Sequence, residues 1–138
     1  MKTALLDSSA IVAAFDPSDR QHEVSRDAID SWKGELFTCE AVLTETCYLL
    51  RRLPGGPEAV LDNVVRNRFR VPFRLTASAS AVQSLLRKYR DQQIDLADAC
   101  LIHLAGEIGS GEIFTLDHDF EVYRWGRNHA FRLLIPLE

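Results

Sequence analysis

An α/β fold with a mainly parallel sheet is predicted by three features of this chain. Short apolar runs recur at residues 2–6, 36–38, 69–73, 112–115 and 131–135, the length of strands rather than helices. Longer segments with apolar side chains at offsets of three and four lie between most of them, which is the helical period. Turn-forming clusters, Asp16-Pro17-Ser18-Asp19 and Pro54-Gly55-Gly56-Pro57, punctuate the series.

Taken in order, residues 2–6 form a buried strand that ends at Asp7. Ser8 and Ser9 can cap a short helix through Phe15. After the turn at Asp16 a helix is expected over 22–32, then a short strand over 36–38. Residues 39–53 read as a helix with Val42, Leu49, Leu50 and Leu53 on one side, stopped by the Pro-Gly cluster. A helix over 58–67 and a strand over 69–73, weakened by Pro72, come next. Residues 77–89 form a helix burying Val82, Leu85, Leu86 and Tyr89. Asp95 caps a helix over 96–107. Residues 112–115 are a strand opening into Leu116-Asp117-His118-Asp119, and 131–135 is the last strand. No repeat, low-complexity tract or linker divides the chain, so residues 1–138 are expected to form one domain.

At 138 residues the chain can build a real core, and 46% apolar with 26% charged residues is an ordinary globular profile. No stretch approaches the roughly 20 apolar residues that span a bilayer. The N-terminus reaches the Asp7 carboxylate too soon for a signal peptide, so a cytoplasmic protein without a membrane partner is expected. Cys39, Cys47 and Cys100 are odd in number and lack C-x-x-C spacing, which argues against a disulfide framework and against structural zinc. They read as small buried thiols. The net charge of −4 hides an asymmetry. Between residues 51 and 90 lie nine of the sixteen basic side chains, among them Arg51 and Arg52, against two acids. A basic rim for phosphates beside an acidic pocket would look like this, and so would a solvated helical face.

The acids are the informative residues. Asp7 and Asp117 follow strands, where open parallel sheets gather functional groups, although an Asp in such a place also serves caps and turns. Glu45 lies three residues after Val42 and four before Leu49, inside the expected apolar stripe. Asp98 shares a helical face with Leu101, Ile102 and Ala105. Burying ionised carboxylates without partners is costly, and a shared cation explains two such violations better than scarce lysines do. Asp95 reads as a helix cap, an arrangement that could also claim Asp98. Carboxylates without a thiolate or imidazole cluster suit magnesium or manganese. Of four histidines none pairs at metal spacing: His22 and His129 read as surface residues, His103 as helical, and His118 as a loop residue beside the site.

Four segments in order resemble the PIN domains, and among them the VapC-type toxin ribonucleases. They are Leu5-Leu6-Asp7-Ser8-Ser9-Ala10, Val42-Leu43-Thr44-Glu45, Asp95-Leu96-Ala97-Asp98-Ala99 and Phe114-Thr115-Leu116-Asp117-His118-Asp119-Phe120. The resemblance runs along nearly the whole chain. It implies a three-layer α/β/α sandwich, an acidic pocket for Mg2+ or Mn2+, RNA as substrate, a homodimer and a cognate antitoxin. It carries catalytic and metal-binding roles to Asp7, Glu45 and Asp98. The fourth acid is Asp117 or Asp119, Asp117 being nearer the strand end, and Thr115 matches a supporting hydroxyl. Metal ions in such a pocket can activate water and clamp phosphate oxygens. Arg51 and Arg52 would then track the RNA backbone.

Two enzyme alternatives lack their parts. A receiver domain needs a lysine after a late strand, and Lys2, Lys33 and Lys88 are all elsewhere. An aspartyl phosphatase wants an acid two residues after Asp7, where Ser9 stands. The alternative that survives is a catalytically silent PIN-like module that binds RNA or protein.

Overall fold

The apolar N-terminal run forms β1 (Thr3–Leu6), the central strand of the sheet, and three of its four residues are fully buried. The computed structural model describes residues 2–138. After β1 the chain forms α1 (Ser8–Phe15), α2 (His22–Asp30), β2 (Glu35–Phe37), α3 (Glu40–Leu49) and α4 (Gly56–Val65). Then come β3 (Phe69–Arg70), α5 (Leu75–Lys88), a 3-10 turn over Arg90–Gln92, α6 (Leu96–Ile108) and β4 (Glu112–Phe114). A second 3-10 turn at His118–Glu121 precedes β5 (Arg124–Trp125), β6 (His129–Ala130) and β7 (Arg132–Leu133).

The main sheet has the order β3-β2-β1-β4-β7 with every neighbour parallel, and helices sandwich it into three layers. The expected fold class is thus the observed one. Leu5, Leu6, Leu36, Ile113 and Phe114 bury on both faces of the sheet, as parallel strands covered by helices must. Helix α6 is the most deeply buried helix, with Ala97 to Ile102, Leu104 and Ala105 all inside. Its small residues let it lie close against the sheet.

Several expected boundaries move for local physical reasons. The cap of α1 is Asp7 itself, whose carboxylate accepts from the Ser8 N–H; Ser8 and Ser9 are already helical. Helix α3 ends at Leu49 rather than residue 53, and Leu49 is 52% exposed instead of facing the core. Arg51 and Leu53 donate to the carbonyls of Tyr48 and Leu50, tightening the turn before Pro54, which disfavours helix in the residue ahead of it. Strand β3 is an edge strand of two residues because Pro72 has no N–H to continue a ladder. Helix α5 starts two residues early, and while Val82 and Tyr89 are buried, Leu85 and Leu86 are only half-buried. The final strand shrinks to Arg132–Leu133, and the antiparallel pair β5–β6 lies outside the sequence expectation. Its strands are too short to show alternation, and its turn relies on Gly126 and Asn128 in the left-handed region. Cys39 and Cys100 are buried, while Cys47 is half-buried. The Cys39 thiol, at the start of α3, pairs with Cys100 on α6, and that contact and its burial hold it protonated. Among the described residues no helix is long and apolar enough to cross a membrane.

One glycine is demanded by close approach. At Gly34 a Cβ would collide with the carbonyl oxygen of Lys2 and lie 2.8 Å from Trp32 Nε1. That carbonyl accepts the Glu35 N–H at 2.8 Å, the bond that starts the pairing of β2 with β1. Gly34→Ala should therefore lower stability by about 1–3 kcal/mol in denaturant unfolding, the usual range for forced overpacking. An unchanged midpoint would show that the β1–β2 junction yields freely.

Candidate metal centre and active site

Strands β2 and β3 lie to one side of β1, and β4 and β7 to the other, so the chain reverses direction between β1 and β4. In open parallel sheets the crevice beyond the strand carboxyl ends at such a point is the favoured site. Asp7 follows β1 and Thr115 follows β4 at that crevice, and the Asp7 N–H donates to the Phe114 carbonyl at 3.0 Å. Asp7 is 3% exposed. Its Oδ1 accepts from the Ser8 N–H at 2.8 Å, and its Oδ2 accepts from Ser9 Oγ at 2.8 Å and Thr115 Oγ1 at 2.7 Å. Ser9 Oγ accepts the Leu116 N–H and Thr115 Oγ1 accepts the Asp117 N–H, so two hydroxyls tie Asp7 to the loop after β4.

The other acids arrive from α6, α3 and the turn after β4. Asp95 Oδ1 caps α6 by accepting from the Asp98 N–H at 2.8 Å, as expected. Asp98, one turn in, is 8% exposed, and its Oδ2 accepts from the Tyr123 hydroxyl at 3.3 Å. Asp117 Oδ1 caps the second 3-10 turn through the Asp119 N–H. One carboxylate oxygen each from Asp98, Asp117 and Asp119 lie within 4.8 Å of one another. Glu45 is half-buried on α3 and joined to α1 through a short hydrogen bond from Ser8 Oγ to its Oε1.

The electrostatics show a concentration of uncompensated negative charge. Burial pushes the Asp98 carboxyl up to about 8, and the nearby charges of Asp7, Asp95 and Asp117 add to it. Burial also raises Asp7 to about 6, against the pull of bonds from Thr115, Ser9 and Ser8. Asp119 is raised by burial and by Asp117. The Tyr123 phenol is driven up by burial and by Asp98, so it stays protonated and donates. Among the described residues no Lys or Arg forms an ion pair with these acids. A carboxylate-only donor set of this density fits a hard, oxygen-seeking divalent cation.

The structure thus gathers Asp7, Asp98, Asp117, Asp119 and Thr115 at one crevice and puts Glu45 at its border through Ser8. Both candidates for the fourth acid are present together. Glu45 is there for a different reason than the apolar stripe suggested, since Leu49 points outward. Arg51 and Arg52 are exposed. The basic stretch is partly committed elsewhere: Arg66 pairs with Asp62, Arg70 with Glu35, and Arg68 donates to the Ile29 carbonyl. His118 is exposed and bonds Glu121 and the Glu138 carbonyl; the Glu121 bond raises its pKa. His22 is half-buried, with Nδ1 2.9 Å from the Ala13 carbonyl, rather than a free surface residue. Two contributors are not visible as site residues in the sequence. Ser9 reads there only as a cap, and Tyr123 carries no motif; a buried Tyr needing a partner for its hydroxyl is the available hint.

The PIN domain family model matches residues 4–126. The chain belongs to the PIN domain family. This PIN domain is homologous to the VapC-family ribonuclease toxins. It is 30% identical over 115 residues to Ribonuclease VapC26 of Mycobacterium tuberculosis, a match covering 82% of this chain and 85% of that one. Its fold is shared with the crystal structure of VapC20 from the same organism, described as a Sarcin-Ricin loop cleaving toxin. That comparison has a TM-score of 0.75 and 21% identity, covering 86% of this chain and 93% of that one.

The raised carboxyls give this PIN domain a stability signature. Asp7 and Asp98 hold protons more tightly when folded than when unfolded, so folding takes up protons and stability falls as pH rises. The fall should run from about 3.8, the ordinary value, through about 6 and about 8. In EDTA the protein should melt several degrees higher at the acid end of this window than at pH 8.5, net of other carboxylates. Mn2+ should recover most of the loss, since a bound cation stabilises the ionised cluster. A flat profile in EDTA would mean the acids are solvated.

Proposed function

We propose that this PIN domain is a metal-dependent ribonuclease, acting as the toxin of a toxin–antitoxin pair and as a homodimer in the cytoplasm. The observation that carries the reading is the convergence of Asp98, Asp117 and Asp119 oxygens beside buried Asp7, with no Lys or Arg paired to them among the described residues. Kinship with a protein named a ribonuclease supports RNA as the substrate class.

Asp7 and Asp98 would hold Mg2+ or Mn2+ most directly, with Glu45, Asp117 and Asp119 supporting it or positioning water. A divalent cation held there would supply a bound water of lowered pKa and would neutralise charge on phosphate oxygens. The chain's own groups do the orienting. Ser9 and Thr115 fix the Asp7 carboxylate, Tyr123 fixes Asp98, and an acid of the cluster takes the proton of the attacking water. In-line attack by that water would form a new P–O bond as the P–O3′ bond breaks, and the departing 3′ oxygen would take up a proton, leaving a 5′-phosphate and a 3′-hydroxyl. Arg51 and Arg52 bind the RNA backbone.

Purified protein with Mn2+ should cut total cellular RNA, while EDTA abolishes cutting. Asp7→Asn and Asp98→Asn should each lower the rate by about 100-fold or more while keeping the fold by circular dichroism. Retained cutting by Asp98→Asn would remove that residue from the site. Metal binding with no cutting of any RNA by any form would favour the second reading, a silent PIN-like binding module. Charge reversal at Arg51 and Arg52 should weaken RNA binding and flatten its salt dependence by about one counterion for each phosphate left unneutralised. An unaltered salt slope would make both arginines solvated bystanders.

A further inference from the structure

One large aromatic ring beside the acidic cluster takes no part in holding the acids. Tyr48 lies on α3 one turn beyond Glu45, about 4.5 Å along the helix axis. It is 61% exposed. Tyr48, Ala41 and Leu96 line an open depression of about 540 Å³ together with Glu45 and Asp95. The depression is therefore continuous with the border of the cluster. One face of the ring is already covered: the Arg51 guanidinium sits 3.9 Å from its centroid. The same guanidinium is anchored by a 2.8 Å bond from Nη1 to the Tyr48 carbonyl, so ring and cation hold each other in place.

We propose that Tyr48 is a stacking platform for an unpaired nucleobase of the RNA, seating the strand beside the acidic crevice. The choice of RNA rests on the ribonuclease reading. A flat π-face accepts any base, provided the base is out of a duplex. Arg51 fixes the ring in advance and places positive charge where the adjoining phosphates run, in a neighbourhood whose acids would otherwise repel them. The uncharged ring can stand next to Glu45 and Asp95, where a second cation would compete with the metal. Tyr48 is thus a positioning residue, and its unpaired-base requirement selects loops, bulges and single strands over helical RNA.

The test uses a labelled 12-nucleotide unstructured RNA and a hairpin stem of equal charge. Binding is measured on the Asp98→Asn background, where cutting is slowed by about 100-fold or more. Tyr48→Phe should bind like the parent, while Tyr48→Ala and Tyr48→Leu should weaken the unstructured RNA about 5- to 100-fold, the span of one base–aromatic stack. Binding of the stem and the salt slope should not change. In otherwise wild-type protein, Tyr48→Ala should raise KM by the same factor and leave kcat unaltered, with full rescue by Phe. Equal binding by Tyr48→Ala, or equal weakening for both RNAs, would overturn the platform. So would a dimer that dissociates on Tyr48→Ala without change in RNA binding, which would make the ring a contact between copies. Manganese-dependent cutting with Tyr48-independent binding defeats the platform alone. Ring-dependent binding without any cutting defeats the ribonuclease reading alone.

Discussion

Parallel pairing of β1 with β4 at the middle of the sheet is the constraint on which the site depends. Leu5 lies opposite Ile113 and Leu6 opposite Phe114, and the Asp7 N–H extends the ladder by bonding the Phe114 carbonyl. Side chains alternate along a strand, so a slip of one residue would turn this buried set toward the wrong face. It would also separate Asp7 from Thr115, whose hydroxyl holds the carboxylate across a sequence gap of 108 residues. The crossovers to β2 and β7 then leave opposite sides of the pair, opening the crevice between them.

Several acids at that crevice also serve the backbone. Asp7, Asp95 and Asp117 satisfy backbone N–H groups at the starts of α1, α6 and the second 3-10 turn. A cap of this kind is worth about 1 kcal/mol and fixes the side chain's orientation. Asp7 and Asp98 also sit in surroundings that resist their ionisation, and among the described residues no lysine or arginine forms an ion pair with them. Local capping thus preorganises a carboxylate cluster that could hold a cation.

The Tyr48 ring and the acidic cluster illustrate two legibilities. The four acid-bearing motifs are readable because a carboxylate after an apolar run, or inside an apolar face, violates the pattern around it. Glu45 stands out through a stripe that does not continue to Leu49, yet its place at the border holds through Ser8. Tyr123 and Ser9 break no pattern, since an aromatic among apolar residues and a serine at a helix start are ordinary. The Tyr123 hydroxyl reaches Asp98, 25 positions away, and Ser9 ties Asp7 to Thr115, 106 positions from itself, so neither role shows in the local pattern.

Alternation of strand and helix, the identity of the acids and the stops at Pro54 and Pro72 are local matters, set by propensity, period and missing N–H groups. For that reason the α/β class and most elements can be read from the amino-acid order alone. Strand order, the meeting of Asp98 with Asp117 and Asp119, the tie from Thr115 to Asp7 and the meeting of Tyr48 with Asp95 and Leu96 around one depression are long-range. They follow from how helices pack on the sheet, and no window of sequence contains both partners. The β5–β6 pair belongs with them: two-residue strands have no pattern of their own, and the Arg124 N–H is placed by the hydroxyl of Tyr89, on another element.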